Sequence, residues 1–502
     1  MAVGGAMSGR FGFQFGLTQP SHGQRERGPF RLLVMADLSG ATRYSDAPGL
    51  GDRRPIAIDV DVLDQVMARL APSLKLVLPE IAEPVSIAFR ELDDFHPDRL
   101  FARLPVFAGM RDLRARLTNP NTFAAATVEL ERLGAVPSDL TAAAAAPPED
   151  SAATMARLLG GTPVKASTME QVGEARSALS RLIHEAVASQ VVHVSEVEQR
   201  LYIAALDERI ARLMRGLLHN PAFQRLEAPW RGLAWLVSSL PTGEDLTAHV
   251  LDVRRADVLA DLRASGKDIA RTALYKLLVE ETVGTEGGRP WSLIAADLTI
   301  GPDGEDIALA AALAALGAAA GAPVIAGASP RLLGCQSLAA TPDPRNWQPL
   351  PPDAERRWQE LRAFEQAQWL GLALPRVLLR RPYGARSEPI ASFAFEELAG
   401  TNNHQQLLWG SPVLAVAILY AQAALEGDMA QAAGRTLDDL PAHILIDVDG
   451  EGSLQPCAEV LLTDRAADAI LARGLMPLLS NARQASVLLI RLQSIAEPST
   501  GT

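Results

Sequence analysis

Short apolar runs that end in turn-forming residues predict β-strands along much of the chain. Residues 30–35 (FRLLVM) form one such run and stop at an Asp-Leu-Ser-Gly turn. Residues 246–253 and 291–296 are apolar runs of the same kind, and the apolar side chains between these two runs have the spacing of α-helices. Further strands are predicted at 444–448 and 459–462. This alternation of strands and helices predicts an α/β fold.

A second pattern has the period of an α-helix. Within a helix predicted over residues 180–218, apolar side chains recur at steps of three and four and share one face: Ile203, Leu206, Ile210, Leu213 and Leu217. Two interpretations are open. The stripe docks the helix on its own domain, or it forms a seam for a helix of another subunit.

One uncharged stretch, residues 307–328, is long enough to cross a bilayer. It consists mainly of alanine and glycine, and Pro323 interrupts it. Acidic residues precede it, where carboxylates favour a helix N-terminus. We therefore predict a buried helix to about residue 320, a short buried strand over 324–326 and no membrane insertion. A membrane segment is the alternative.

Composition divides the chain into four parts. Residues 1–29 are rich in glycine and polar residues and predict a flexible arm. Residues 30–125 have the patterns of a small mixed α/β domain. Residues 126–179 include a polyalanine run ended by Pro147-Pro148, which predicts a linker. Residues 180–502, beginning with the long helix, predict a larger α/β domain.

Charge and cysteine content narrow the function. The 502 residues include 47 lysines and arginines against 59 aspartates and glutamates, a net charge of −12. Nucleic acid is therefore not an expected partner, since phosphate neutralisation needs a basic surface. Two cysteines cannot form a disulfide framework, and the N-terminus lacks a signal-peptide core. We expect a cytoplasmic protein.

The sequence lacks the motifs of common enzyme classes. No pair among the eight histidines has the HExxH spacing of a metal site, and no cysteine lies near one. There is no GxxxxGK[ST] phosphate loop, no GxGxxG after a strand and no GxSxG elbow. We therefore predict no catalytic residues, no metal and no cofactor.

Several segments, in one order, resemble the large (TssC-type, VipB-like) subunit of the contractile sheath of type VI secretion systems. The first are residues 219–233 (HNPAFQRLEAPWRGL), the GTEGG segment at 284–288 before a strand ending in Asp297, and APVIA followed by Ser329-Pro330. The others are Trp358…Leu361-Arg362…Glu365, Leu374-Pro375-Arg376, Arg381-Pro382-Tyr383-Gly384, Phe395-Glu396-Glu397 and Leu408-Trp409-Gly410.

The N-terminal part resembles the small (TssB-type, VipA-like) sheath subunit over shorter motifs. These are PF…MADLSG within 29–40, Ile58-Asp59 with Val66-Met67, and DDFHPD at 93–98. Together the resemblances imply a small sheath domain, a linker, a long helix and a larger contractile-sheath-type α/β domain in one chain. Large subunits usually continue well beyond the position of Gln493-Ser494-Ile495, so we expect a chain shortened at its C-terminus.

The resemblance implies a structural, non-enzymatic protein that assembles around an inner tube and stores energy for contraction. Its expected partners are other sheath subunits (copies or paralogues), the inner-tube protein, baseplate proteins and an AAA+ recycling ATPase. One alternative is a non-polymerising accessory protein that docks at the sheath end or baseplate. An alternative of another class is an α/β enzyme with an unrecognised site.

Within the matching segments, five further side chains are candidates for an assembly interface: Trp230, Arg231, Arg376, Arg381 and Tyr383. Tryptophan and arginine are common anchors at interfaces. The alternative is structural, with Trp230 as a core anchor and Arg231 paired with a buried acid. The same choice applies to the other three.

Overall fold

A computed structural model of the chain describes residues 29–40, 49–78, 81, 83–133, 196–266, 268–398, 404–446 and 452–497. The predicted arm up to residue 28, the linker from residue 134 and the predicted long helix before residue 196 lie outside these ranges. The described residues form two compact units. One contains those within 1–99, 216–389 and 396–502, and the other contains those within 100–215 and 390–395.

The secondary structure of the described residues is as follows. The strands are β1 (Phe30–Ala36), β2 (Ile56–Ile58), β3 (Ser73–Leu76), β4 (Val85–Ala88), β5 (Leu246–Asp252), β6 (Leu293–Ile300), β7 (Val324–Ala328), β8 (Leu370–Leu374), β9 (Val377–Leu378), β10 (Trp409–Gly410), β11 (Thr436–Leu437), β12 (Ile444–Ile446), β13 (Gly452–Leu454), β14 (Met476–Ser480) and β15 (Val487–Leu489). The α-helices are α1 (Leu63–Leu70), α2 (Pro97–Arg103), α3 (Ala108–Thr118), α4 (Phe123–Arg132), α5 (Glu196–Leu218), α6 (Pro221–Ser239), α7 (Arg255–Ala264), α8 (Ala273–Tyr275), α9 (Gly304–Ala320), α10 (Pro352–Arg362), α11 (Pro412–Leu425) and α12 (Asp464–Ala472).

Nine strands of the first unit form one sheet, in the order β11-β15-β14-β8-β7-β6-β1-β5-β2. The strands from β14 to β5 in this order run parallel. Strands β2, β15 and β11 are antiparallel to their neighbours. Helices connect the parallel strands, as parallel sheets require. The predicted α/β fold class is therefore confirmed.

Strand β1 lies inside this sheet, not at its edge. All of its residues are in register with β5, from Phe30 opposite Leu246 to Ala36 opposite Asp252, and residues 32–35 also pair with β6. The apolar sequence suits this position because a central parallel strand is covered on both faces. A strand of the N-terminal part thus completes the sheet of the C-terminal part.

Helices bury the sheet. Helix α9 contacts β6, β7 and β8, and its Leu313 belongs to the same core as Leu33 and Met35 of β1. Helix α11 is buried along most of its length and contacts β1 as well as β6, β7 and β8. The alternate side chains Leu32 and Val34 are also buried, so both faces of β1 are covered.

The uncharged stretch after residue 306 forms a core helix and a strand. Helix α9 ends at Ala320, Gly321 follows in the left-handed conformation with φ of 65°, and β7 begins at Val324. The predicted helix and buried strand are confirmed, with the strand extending to Ala328. Among the helices that the structure describes, none has both the length and the apolar character needed to cross a membrane.

In the second unit, the long helix α5 packs on helices of the N-terminal part. Tyr202 lies edge-on to Phe123 of α4 with ring centroids 5.6 Å apart, and its hydroxyl donates to the Glu131 carboxylate at 3.0 Å. Arg114 of α3 pairs with the buried Asp207 at 2.7 Å. These contacts favour the interpretation in which the helix docks on its own chain.

The strand predicted at residues 459–462 is wrong. Only the preceding residue, Ala458, forms a β-bridge, and its partner is Val377. The Glu459 backbone N–H donates to the Arg376 carbonyl, and the Glu459 side chain pairs with the Arg376 guanidinium. The segment is thus held by one bridge and a side-chain pair and has no continuing strand partner. The strand predicted at 444–448 is present as β12, and residues 447 and 448 lie outside the described residues.

Candidate functional site

Helix α6 carries the segment with the strongest sequence resemblance. The Asn220 side chain caps its N-terminus by accepting from the Ala222 backbone N–H at 2.9 Å, and Pro221 occupies the first turn. Trp230 is fully buried, and its indole N–H donates to the Leu38 carbonyl at 2.9 Å. This hydrogen bond satisfies the polar atom of a large core side chain. It also ties α6 to the turn that follows β1.

A buried charge network begins on the same helix. The Glu227 side chain has no exposed surface, and its Oε1 accepts from Arg231 Nε at 2.6 Å and from Arg380 Nε at 2.9 Å. Arg231 Nη2 also donates to the Tyr383 hydroxyl at 3.0 Å. Arg380 keeps only 8% of its side chain exposed. One carboxylate on α6 therefore joins two arginines that lie far apart in sequence.

Glu397 completes this network from a third segment. Arg380 binds its carboxylate in a bidentate manner, with Nη1 to Oε2 at 2.7 Å and Nη2 to Oε1 at 2.9 Å. The Tyr383 backbone N–H donates to Oε2 at 2.7 Å, and His219 Nε2 lies 3.6 Å from Oε1. Bidentate pairs of this kind fix geometry as well as charge. We call Glu227, Arg231, Arg380 and Glu397 the charge network.

The network sets the protonation of its members. Burial raises the pKa of Glu397, but the Arg380 charge, the hydrogen bonds from Arg380 and the Tyr383 backbone, and the nearby His219 outweigh it and lower this pKa to about 2. Burial lowers the pKa of Arg380, and its two carboxylate partners raise it well above the ordinary value. Burial raises the pKa of the Tyr383 phenol. Arg380 and Glu397 are therefore both charged at neutral pH.

Two glycines of the matching segments allow close packing around the network. A Cβ added at Gly232 of α6 would lie 2.4 Å from Leu414 Cδ1 of α11, so this glycine lets the two helices approach. An added Cβ at Gly384 would lie within 2.3 Å of the Glu396 carboxylate, whose Oε1 accepts from the Ala385 N–H at 3.0 Å. Gly232 therefore has a packing reason to be glycine, whereas the obstacle at Gly384 is only the end of the flexible Glu396 side chain.

Next to the network, a cavity of about 700 Å³ opens at the carboxyl ends of β6, β7 and β8. Its lining comes from six separate segments: His219, Pro221, Gln224, Arg225, Ala228 and Pro229; Asp297 and Thr299; Gly327, Ala328, Pro330, Gln336 and Ser337; Leu374, Pro375 and Arg376; Gln405, Leu407, Trp409, Gly410, Ser411 and Pro412; and Glu459. We call this space the carboxyl-edge cavity. A shift of register in β6 between Ala296 and Thr299 places Asp297 at a bulge beside it.

The predicted stripe of α5 faces inward. Leu206, Ile210, Leu213 and Leu217 are buried, and Ile203 is half-buried. Buried side chains offer no surface to a second copy. Of the five predicted residues, Ile203 has the exposed surface that an assembly contact needs. That role stays a prediction.

The other predicted interface residues divide by exposure. Trp230 and Tyr383 are buried, and Arg231 pairs with a buried acid, as in the structural interpretation. Arg376 has 44% of its side chain exposed and pairs with Glu459 at 2.5 Å. Arg381 has 47% exposed and pairs with Glu388 at 2.8 Å. A lattice contact stays a prediction, and Arg376 and Arg381 have the surface for it.

Sequence reasoning missed Glu227, Arg380 and Glu397 as a unit. Each lies in or directly beside a segment that carries the resemblance, but only the fold brings the three together. The paired residues Arg380-Arg381 and Glu396-Glu397 were the available signal, since one member of each pair faces inward and the other faces outward. Sequence alone does not tell which member is buried.

Metal and thiol chemistry add little to the site. Within the described ranges, no group of three or more His, Cys, Asp or Glu side chains is placed to hold a metal ion. Burial raises the pKa of both thiols, Cys335 and Cys457, to about 11. Thiols with such values stay protonated and are poor nucleophiles at neutral pH.

Comparisons with known proteins match both parts of the chain. Residues 200–496 match the family model described as "VipB: EvpB/VC_A0108, tail sheath N-terminal domain". Residues 17–133 match the one described as "Type VI secretion system, VipA, VC_A0107 or Hcp2". A curated relative, the "Type VI secretion system sheath protein TssC1" of Pseudomonas aeruginosa, is 30% identical over 304 residues. That alignment covers 59% of this chain and 61% of the relative.

Proposed function

The chain belongs to the VipB tail-sheath family of type VI secretion, as a fusion of TssB-like and TssC-like parts, and from this premise we propose that it is a structural component of a contractile sheath. In this role it assembles with other sheath subunits in the bacterial cytoplasm. It surrounds an inner tube, meets baseplate proteins at the tube end and is recycled by an AAA+ ATPase. It performs no covalent chemistry.

One observation supports this proposal most strongly: β1 of the VipA-like part pairs along its whole length with β5 of the VipB-like part. The same strand also pairs with β6 through residues 32–35. Removing it would leave buried apolar residues and backbone groups of two strands without partners. The two parts thus share one sheet, which is what a sheath built from paired small and large subunits needs from a single chain.

The second unit supports the same pairing of parts. There α3 and α4 come from the VipA-like part and α5 from the VipB-like part. Within the matched range of α5, Tyr202 donates to the Glu131 carboxylate of α4 at 3.0 Å, and Asp207 pairs with Arg114 of α3 at 2.7 Å. Both compact units therefore combine residues from the two parts. Each half of the fusion needs the other to complete its packing.

The work of such a sheath is mechanical. Subunits joined by heterologous contacts that do not close form a helical tube. Contraction then follows when a second arrangement of the same rigid bodies has lower free energy. The charge network suits a rigid body that transmits force, because bidentate buried pairs hold their partners in one geometry.

Electron microscopy of the purified chain, alone and mixed with partner sheath subunits, tests the proposal. We expect tubes that contain this chain along their length. A matched control replaces Val34 at the centre of β1 with Asp, which buries a charge in the sheet and should abolish both folding and tubes. Labelling confined to tube ends would instead favour the accessory protein. A folded wild-type chain that forms no tubes alone and joins none when it is mixed with partner sheath subunits would refute the proposal.

A further inference from the structure

Two neighbouring arginines lie at the amino ends of the central strands, at the sheet edge opposite the carboxyl-edge cavity. Arg31 is the second residue of β1 and is in register with Thr247 of β5. The Ser292 hydroxyl, just before β6, accepts from the Arg31 backbone N–H at 3.0 Å, and the Ser292 N–H donates to the Arg31 carbonyl at 2.8 Å. The Arg289 carbonyl accepts from Arg31 Nη1. These bonds place Arg31 and Arg289 side by side.

The Arg31 guanidinium is fixed but keeps free donors. Its central carbon lies 4.1 Å from the ring centroid of Trp291, which has 3% of its surface exposed. Nη1 is occupied by the Arg289 carbonyl. Nε and Nη2 have no hydrogen-bond partner among the described residues, and neither is sealed from solvent. A guanidinium held in this way presents two adjacent N–H groups to an anion.

The charge of this edge is positive and unbalanced. Burial and the Arg289 charge lower the pKa of Arg31, and no carboxylate of the described residues pairs with either arginine. His249 lies edge-on to Trp291, with ring centroids 5.2 Å apart. Burial and the Arg31 charge lower the pKa of His249 to about 4, so its ring is neutral at pH 7. Two cations thus lie next to each other without a counter-ion, an arrangement that an anion stabilises.

Hydrogen-bond acceptors are also scarce around the two arginines. Trp291 Nε1 is buried without a partner, and so are His249 Nδ1 and Thr247 Oγ1. These are three of the eleven such side-chain atoms in the described part of the chain, and all three lie at this edge. An indole N–H can only donate, so what the Trp291 ring lacks is an acceptor. The three atoms are sealed from solvent, so a ligand would make its contacts with Arg31 and Arg289.

We propose that Arg31 and Arg289 form a binding site for an oxyanion of the phosphate class. Inorganic phosphate or a phosphate monoester carries a charge of about −1.5 to −2 at neutral pH, which matches two arginines. Two of its oxygens fit the adjacent donors of one guanidinium at once. A carboxylate carries a single charge and leaves one arginine unbalanced. The proposal goes beyond the sheath function and does not depend on it.

Isothermal titration calorimetry of the full-length chain with inorganic phosphate, at pH 7 and constant ionic strength, tests the site. Arg289→Gln should weaken phosphate binding at least about tenfold, because a charge-assisted hydrogen bond is lost. Arg31→Lys keeps the charge but loses the pair of donors, and should also bind more weakly than the wild type. Arg483→Gln is the matched control, because Arg483 is exposed and follows β14, which three strands separate from β1. Thermal melting without phosphate checks that all variants fold.

The anions are then compared on the wild type. Acetate should bind more weakly than phosphate, since it carries one charge. Phenyl phosphate distinguishes two sources of the anion: tighter binding than inorganic phosphate indicates a phosphate carried on a larger molecule, and weaker binding indicates the free ion.

Phosphate binding that Arg289→Gln weakens and Arg483→Gln leaves unchanged supports the proposal. Three results would overturn it: no phosphate binding by the folded wild type, equal weakening in the two glutamine variants, or equal affinity for acetate and phosphate. None of these results bears on tube formation, so the sheath function stands or falls on its own test.

Discussion

Removing Arg380 from the charge network should be among the most destabilising single changes in the chain. Arg380 neutralises two carboxylates, Glu227 and Glu397, that have 0% and 1% of their side chains exposed. Replacing it with Met keeps much of its volume and leaves both acids short of positive charge. Arg231 and His219 remain near them and offset part of the loss.

The expected magnitude follows from burial. Breaking a buried ion pair by removing one partner costs about 3–5 kcal/mol, because an uncompensated charge is left in the interior. We therefore expect Arg380→Met to lower the free energy of unfolding by about 3–5 kcal/mol. Arg380→Lys keeps the charge but loses the two-pronged geometry, and its cost should be intermediate. The lysine variant also provides a measurement if the Met variant does not fold.

The neighbouring residue is the matched control. Arg381 pairs with Glu388 at 2.8 Å, but both side chains are nearly half exposed. Exposed pairs contribute about 0–1 kcal/mol, so Arg381→Met should be nearly neutral. Urea unfolding followed by circular dichroism measures both variants, and an unchanged slope shows that only stability has changed. Equal costs for the two variants, or less than about 1 kcal/mol for Arg380→Met, would refute this reasoning.

Three further predictions concern packing, pH and thiol reactivity. Gly232→Ala should lower the free energy of unfolding by about 1–3 kcal/mol, measured by thermal melting, because its Cβ would meet Leu414. The double variant with Leu414→Ala should lose less stability than the sum of the two single variants. A loss equal to that sum would contradict the close approach of the two residues. The pKa of Glu397 is about 2 in the folded chain and 4.5 ordinarily, so its stabilisation is present above pH 4.5 and is lost as pH falls towards 2. Urea unfolding at pH 7, 4 and 3 should show a steeper loss for the wild type than for Glu397→Gln, and parallel losses would argue against this pKa. A thiol reagent should modify Cys335 and Cys457 only after unfolding, since both are buried with pKa values of about 11; rapid native labelling would contradict that burial.

The local pattern of apolar residues predicted the helices and strands far better than it predicted which strands are neighbours in the sheet. The apolar run at 30–35, the strand at 246–253 and the helix and strand after residue 306 all follow from hydrophobic spacing and breaker residues. Hydrophobic spacing does not say which strands are neighbours. The pairing of β1 with β5 therefore emerged only from the fold.

The site was harder to predict for the same reason. The charge network joins residues 153 and 17 positions apart in sequence, and no local signal marks such pairs. The segment at 459–462 shows the opposite error. Its apolar composition suggested a strand, but strand formation depends on an available partner, and only Ala458 has one.

The central position of β1 has a consequence for how the chain is made. Phe30 pairs with Leu246, so ribosomes translate β1 well before the strands that flank it. At bacterial elongation rates of about 5–20 residues per second, the delay is roughly 10–40 s. During this time an apolar strand with two open edges is exposed, which invites capture by chaperones or by other nascent chains. Joining both parts in one polypeptide delivers each β1 together with the sheet that will enclose it, in equal numbers and at high local concentration.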